Sequence, residues 1–148
     1  MPATDPECLF CRIGAGTEPT EIVFEDEVSV AFLDVRPVFV GHTLLVPRAH
    51  HETLPDLPDE LVEPYFRSVR MLAAAVPAAM GADGSFVAIN NVVSQSVPHL
   101  HTHVVPRVRK DGLRGFFWPR TRYEHDTHAA EAAELIRAAI REAAAART

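Results

Sequence analysis

The chain has 148 residues, 47% of them apolar, a mean hydropathy near zero and a formal net charge of −6, which suits one ordinary domain with enough apolar content for a core. The acidic balance argues against large nucleic acids as partners, because their binding rests on neutralising phosphates with many Lys and Arg. No apolar run approaches the ~20 residues that span a bilayer, and Met1-Pro2-Ala3-Thr4-Asp5-Pro6 lacks the basic and apolar regions of a leader, so the protein is expected to be soluble and cytoplasmic, with no membrane partner.

Two cysteines occur, Cys8 and Cys11, spaced as Cys-x-x-Cys. That spacing points to a metal or redox pair more than to a disulfide framework. Glu21–Glu25 and Val28–Leu33 flank Asp26-Glu27 and read as a hairpin of two short strands. A third strand is expected from Gly41 to Val46, set off by Pro37 and Gly41 and stopped by Pro47, which cannot donate to a ladder.

From Asp59 to Met80, Leu61, Val62, Tyr65, Phe66, Val69, Leu72, Ala73 and Val76 recur at spacings of three and four, an amphipathic helix pattern. Pro64 leaves two readings, a helix that starts near Glu63 or one kinked there. After Gly81 and Gly84, Ser85–Asn90 and Leu100–Pro106 read as a fourth and a fifth strand joined by a polar turn. A last helix over Thr127–Ala146 carries Leu135, Ile136, Ala139, Ile140 and Ala143 on one face. Strands with tight links, interrupted by one long helix, predict an α+β fold with an antiparallel sheet of about five strands. The segment 107–122 holds Arg107, Arg109, Lys110, Arg114, Arg120 and Arg122 against Asp111 alone. It reads either as a face for a small phosphorylated ligand or as a solvated loop.

The densest chemistry lies in His99-Leu100-His101-Thr102-His103. On an extended strand the period of two puts the three imidazoles on one face, and histidine is the side chain that serves as nucleophile, proton carrier or metal ligand near neutral pH. The stretch Gln95-Ser96-Val97-Pro98-His99-Leu100-His101-Thr102-His103-Val104-Val105-Pro106-Arg107 resembles the signature of the histidine-triad (HIT) superfamily of nucleotide hydrolases and transferases. Cys8–Ile13 is similar to that family's opening, and Ala31–Pro37 with Gly41–Pro47 to its central hairpin, so the resemblance covers most of residues 7 to 107. Residues 1–148 are therefore expected to form a single HIT-like domain in which 110–148 is a divergent C-terminal extension. Gly115-Phe116-Phe117-Trp118-Pro119-Arg120 stands out in that extension, with Trp118 either in the core or closing over a site.

The resemblance implies a mechanism and a set of roles. His101 would attack the α-phosphorus of a purine nucleotide derivative, such as a dinucleoside polyphosphate or nucleoside phosphoramidate, and form a nucleotidyl-histidine that water or another acceptor resolves. A carbonyl near His99 would fix the His101 tautomer, His103 would bind α-phosphate oxygens, Gln95 would hold the bridging region, and Ser96 would assist proton delivery to the leaving group. Asp34 would bond ribose hydroxyls, and Leu9, Phe10, Ile13, Phe32 and Leu44 would line the base, although the same residues suit core packing. An amide near Asn90, or Asn91 in its place, would contact phosphate; Ser94 stands where the family usually has glycine. Cys8, Cys11, His50 and His99 would make a tetrahedral structural Zn²⁺ set, with His51 as the alternative ligand. His42 is read as a structural hydrogen-bonding residue. Members of the family commonly form homodimers. A purine-nucleotide-binding protein with negligible turnover is the alternative, and a catalytic metal held by the three triad histidines is a third reading.

Overall fold

The computed structural model describes residues 3–114 and 121–147. The order of elements is a short helix α1 (Leu9–Gly14), strands β1 (Ile22–Glu25), β2 (Ser29–Leu33) and β3 (Thr43–Pro47), the long helix α2 (Asp59–Met80), strands β4 (Gly84–Ile89) and β5 (Thr102–Arg107), and helix α3 (His128–Ala146). Every neighbouring strand pair is antiparallel, and the sheet order is β1-β2-β3-β5-β4. This is the five-stranded α+β arrangement that the sequence pattern predicts. The chain divides into two compact units, Met1–Asp111 and Gly112–Thr148. The first holds the sheet, α1 and α2; the second holds α3. No described helix is long and apolar enough to cross a membrane.

Strands β2 and β3 are buried on both faces, so their side chains alternate between two cores. Ala31 and Leu45 join Tyr65, Val69, Leu72, Val76, Leu100 and Val104 in the core under α2. Val30, Phe32, Leu44 and Val46 point the other way and pack with Cys8, Phe10, Cys11 and Ile13 from the α1 segment. A fully buried side chain of this size contributes about 1.5–3 kcal/mol relative to exposure. The buried Tyr65 hydroxyl donates to the Leu45 carbonyl at 3.0 Å and pairs with Thr102 Oγ1 at 2.6 Å, tying α2 to the two central strands.

Three details depart from the sequence pattern. Helix α2 starts at Asp59 and continues through both Pro64 and Pro77. It closes on Gly81, whose φ of 62° suits a residue without Cβ and lets Ala82 N–H reach the Pro77 carbonyl at 2.9 Å. Pro47 is the last residue of β3, paired with Ser29, instead of lying just beyond it. Strand β5 begins at Thr102 and not at Leu100, because the Leu100 N–H bonds the His51 carbonyl at 2.6 Å. Of the triad, only His103 therefore lies in the ladder. In α3 the apolar stripe is present but outward: Leu135 is 74% exposed and Ile136 and Ile140 are each 61% exposed. Trp118 and its neighbours 115–120 lie outside the described residues.

Candidate active site and metal centre

Two clusters meet at the triad. The register Leu44↔His103 and Leu45↔Thr102 places His103 on the α1 side of the sheet, beside Phe32 and Leu44. His101, two residues earlier, falls on the same side, and its ring lies 5.1 Å from His103 and 5.1 Å from the Phe10 ring, edge-on to each. The rings of His101 and His103 face a cavity of about 500 Å³ that is also lined by Leu9, Phe10, Ile13, Phe32, Asp34, Leu44 and Ser96. The cavity thus gathers most of the residues singled out from the sequence for nucleotide chemistry.

Hydrogen bonds assign each imidazole its tautomer. His101 Nδ1 donates to the His99 carbonyl at 2.8 Å, so its Nε2 carries the lone pair. The Val38 N–H donates to His42 Nδ1 at 3.0 Å, which leaves the His42 proton on Nε2, facing His103 Nδ1 at 3.0 Å. His103 consequently holds its own proton on Nε2 and is a donor on its remaining side. Burial, followed by the neighbouring His101 and His42, brings His103 down to about 4, and burial likewise lowers His42 against the pull of Asp34. Both rings are neutral at physiological pH.

His42, expected to be a structural hydrogen-bonding residue, is one, and its partner is His103. The turn before it needs Gly41, whose φ is 98° and where a Cβ would fall 2.6 Å from Met80 Cγ. The strand pairing then delivers His42 to a histidine 61 positions away. Asp34 sits at the end of β2, with Oδ1 accepting the Arg36 N–H at 2.8 Å and Oδ2 3.7 Å from His42 Nε2.

Other expected residues are placed differently. Gln95 spends its amide on the protein, accepting from Val92 N–H at 2.9 Å and donating to the Glu52 carbonyl at 2.6 Å. Asn91 Oδ1 accepts the Leu54 N–H at 2.8 Å, and neither Asn90, Asn91 nor Gln95 is among the described residues that line the cavity. Ser94 takes a φ of 62° and Val92 one of 70°, so the loop before the triad has the left-handed backbone that glycine accommodates best. Of the basic segment, Arg107 is bidentate to Asp111 at 2.6 and 2.9 Å, and none of Arg107, Arg109 and Lys110 is among the described lining residues.

The His99 ring turns away from this cavity. Its Nε2 donates to the Pro47 carbonyl at 2.8 Å, which leaves the Nδ1 lone pair aimed at Cys8 Sγ, 3.4 Å, and Cys11 Sγ, 3.5 Å. His50 Nδ1 lies 3.4 Å from Cys11 Sγ. The donor atoms of Cys8, Cys11, His50 and His99 all fall within 4.8 Å of one another. Two thiols and two imidazoles, three of the four residues buried, are the donor chemistry of a closed zinc site, and the Pro47 carbonyl supplies the outer hydrogen bond that orients a ligating imidazole. Burial is the main cause that pushes the Cys11 thiol up and that holds His99 near 4. A divalent cation would reverse the first effect, since it stabilises thiolate. His51 is not in the group. His99 thus reaches His101 through its backbone while its side chain belongs to the second cluster, so the three triad rings do not converge on one ion.

Comparison with known proteins gives the same architecture a lineage. The family model described as HIT domain matches residues 15–110. Adenosine 5′-monophosphoramidase HNT1 of Saccharomyces cerevisiae is 36% identical over 129 residues, 84% of this chain and 78% of the yeast protein. A HIT-family crystal structure from Bacillus subtilis is 36% identical, covers 92% of this chain and 96% of that chain, and superposes with a TM-score of 0.79. A zinc-bound histidine triad family protein from Mycobacterium smegmatis, also 36% identical, covers 95% of this chain and 97% of that chain, with a TM-score of 0.69. The chain belongs to the HIT family.

Proposed function

We propose that the protein is a nucleotide hydrolase or transferase that cleaves the α-phosphate linkage of a purine nucleotide derivative through a nucleotidyl-histidine at His101. The observation that carries this reading is the 2.8 Å bond from His101 Nδ1 to the His99 carbonyl, which presents the Nε2 lone pair to the cavity that Asp34 and the apolar slot share. The Nε2 lone pair forms a bond to the α-phosphorus as the bond to the leaving group breaks; that group departs with the electron pair and takes a proton, a role that suits Ser96 on the cavity wall. Water then forms the new P–O bond as N–P breaks, its proton restoring the one Ser96 gave to the leaving group, and imidazole is released unchanged.

His103 Nε2–H is the preorganised donor for a non-bridging α-phosphate oxygen, and as a neutral ring it offers direction without a competing charge. Asp34 accepts from the ribose hydroxyls, while Leu9, Phe10, Ile13, Phe32 and Leu44 hold the base by contact. Gln95 and Asn90 act, on this reading, by shaping the loop and the strand end that carry the triad. The named activity of the yeast relative, a nucleoside phosphoramidase, suits this chemistry.

The same proposal extends to the chain's setting. Cys8, Cys11, His50 and His99 would hold a structural Zn²⁺ that fixes the N-terminal segment to the strand end before His101. Two free thiols suit a cytoplasmic location. Strand β4 lies at the sheet's edge with Val87 41% exposed, which suits pairing between two copies of the chain. The first 111 residues are the catalytic unit and the rest an extension of the same HIT-like domain. Turnover of an adenylyl phosphoramidate or a diadenosine polyphosphate by the parent, abolished in a folded His101→Ala, is the expected result. Nucleotide binding by the parent without cleavage of either compound would favour a binding protein, and equal turnover by both proteins would overturn the nucleophile.

A further inference from the structure

Glu18 lines the nucleotide cavity without having any part in the phosphate chemistry. It follows the turn that ends α1, and Gly16 there, at a φ of 75°, allows the chain to double back. Arg12 fixes its position. The Arg12 guanidinium is held by the carbonyls of Glu7 at 2.9 Å and Pro6 at 3.3 Å, and its Nε meets Glu18 Oε2 at 3.4 Å. Thr17 is bonded back to the Arg12 carbonyl through both its N–H, 2.9 Å, and its hydroxyl, 3.1 Å. The carboxylate is therefore a tethered group on a pinned loop, with Oε1 left for solvent or a ligand.

The position of this carboxylate matters because the apolar part of the slot has little means of telling one base from another. Leu9, Phe10, Ile13, Phe32 and Leu44 offer contact and edge-on aromatic faces, and apolar walls discriminate poorly between flat rings of similar size. Of the two acids on the wall, Asp34 already accepts the Arg36 N–H and neighbours His42. An ionised carboxylate only accepts hydrogen bonds. The Watson–Crick edge of guanine offers two adjacent donors, N1–H and N2–H, which a carboxylate meets with both oxygens. The same edge of adenine offers one donor, N6–H, beside the N1 lone pair, which repels the second oxygen.

Taking the nucleotide reading of the cavity as its basis, we propose that Glu18 reads the Watson–Crick edge of the base and makes this site prefer guanine nucleotides over adenine nucleotides. Inosine nucleotides, which keep N1–H and lose N2–H, fall between. Glu18 is 40% exposed, so the preference is expected to be about tenfold, well below that of a buried bidentate pair.

Equilibrium binding of GMP, IMP and AMP to the full chain, to Glu18→Gln and to Glu18→Ala tests this. The expected order for the parent is GMP over IMP over AMP. Glu18→Gln should erase or reverse that order, because an amide donates to adenine N1 while accepting from N6–H, and Glu18→Ala should erase it without favouring AMP. GMP and AMP binding equally to the parent, or a guanine preference unchanged in both variants, would overturn the role of Glu18 and leave the nucleotide site standing. Failure of all three nucleotides to bind any of the proteins would overturn both.

Discussion

Two histidine clusters lie back to back across five residues of chain, and they are built on opposite plans. In the first, Cys8, Cys11, His50 and His99 turn all four donor atoms inward, within 4.8 Å of one another. In the second, His42 bonds His103 and the His99 carbonyl accepts from His101, which leaves one nitrogen of His101 and one of His103 directed outward, into a cavity. A closed set of ligands is suited to holding structure, and an open set to chemistry. The backbone of His99 joins the two, because its ring belongs to the first cluster and its carbonyl orients His101 of the second. Histidine count alone says nothing of this division; what separates the roles is where the second nitrogen of each ring is bonded.

Changes in the open cluster should remove chemistry and spare the fold, whereas changes in the closed cluster should do the reverse. The largest effect is expected at His101: replacement by Ala should lower kcat by about 10⁴-fold or more while leaving the unfolding transition in place, as is usual when a covalent nucleophile is lost. Steady-state turnover paired with circular dichroism would show it, and a matching loss of structure would break the contrast.

Removing the closed cluster is the counterpart. Cys8→Ser with Cys11→Ser should lower Tm by about 10 °C, corresponding to roughly 3 kcal/mol. A strong chelator should bring the parent down to the same Tm and leave the double variant unmoved, as thermal scans with and without added zinc would reveal. A parent indifferent to chelation would mean that the four residues act as packed thiols and imidazoles only.

His42 gives a finer test, since it touches no substrate in this account and acts by fixing the His103 tautomer. His42→Gln should lower kcat about 10- to 100-fold and change nucleotide affinity far less. Separate measurement of kcat and KM would distinguish this from a simple loss of binding, in which KM alone would rise.

The pH dependence of stability sharpens the same point. His103 is near 4 in the folded protein against 6.5 for an unperturbed ring. Between those values the unfolded chain binds more protons at this position than the folded one, so stability is full above about pH 6.5 and falls on acidification toward 4. The share of the loss from His103 is expected to be about 1–2 kcal/mol at pH 5 relative to pH 7.5, because solvent screens a partly exposed ring. Urea unfolding at the two pH values should show it, and His103→Gln should remove that share of the difference.

The smallest effect is expected in the loop before the triad. Ser94 holds a φ of 62°, and Ser94→Gly should raise stability by about 1 kcal/mol or less, relief of a left-handed backbone partly offset by the freedom glycine gains when unfolded. A clear destabilisation in urea unfolding would show that the serine side chain contributes more than its backbone conformation costs.

Much of this arrangement was legible in the residues themselves. Alternation in Val30-Ala31-Phe32 and Leu44-Leu45-Val46 defines strands, and the spacing of Tyr65, Val69, Leu72 and Val76 defines the long helix, because period and burial are local properties of the chain. The triad and the Cys-x-x-Cys likewise stand close enough in sequence to be noticed together. His42 was legible as a hydrogen-bonding residue but its partner was not, since His103 is reached only through the register of β3 on β5. Glu18 was missed for a similar reason: nothing local shows that the turn after Gly14 brings it back to the cavity wall. Gln95 was legible as a residue of the signature, but its bonds to Val92 and Glu52 depend on a loop closing against a segment 43 residues earlier. The short helix α1 has only six residues, too few for a period to declare itself.

Intact-protein mass spectrometry after a brief incubation stopped in alkaline denaturant, on the parent and His101→Ala with an adenylyl or guanylyl phosphoramidate, decides whether His101 is the covalent nucleophile. A mass increase equal to one nucleotidyl group is expected on the parent, mapped by fragmentation to His101 and absent from the variant. An adduct on another residue, or product formation at the parent rate by the variant, would contradict it.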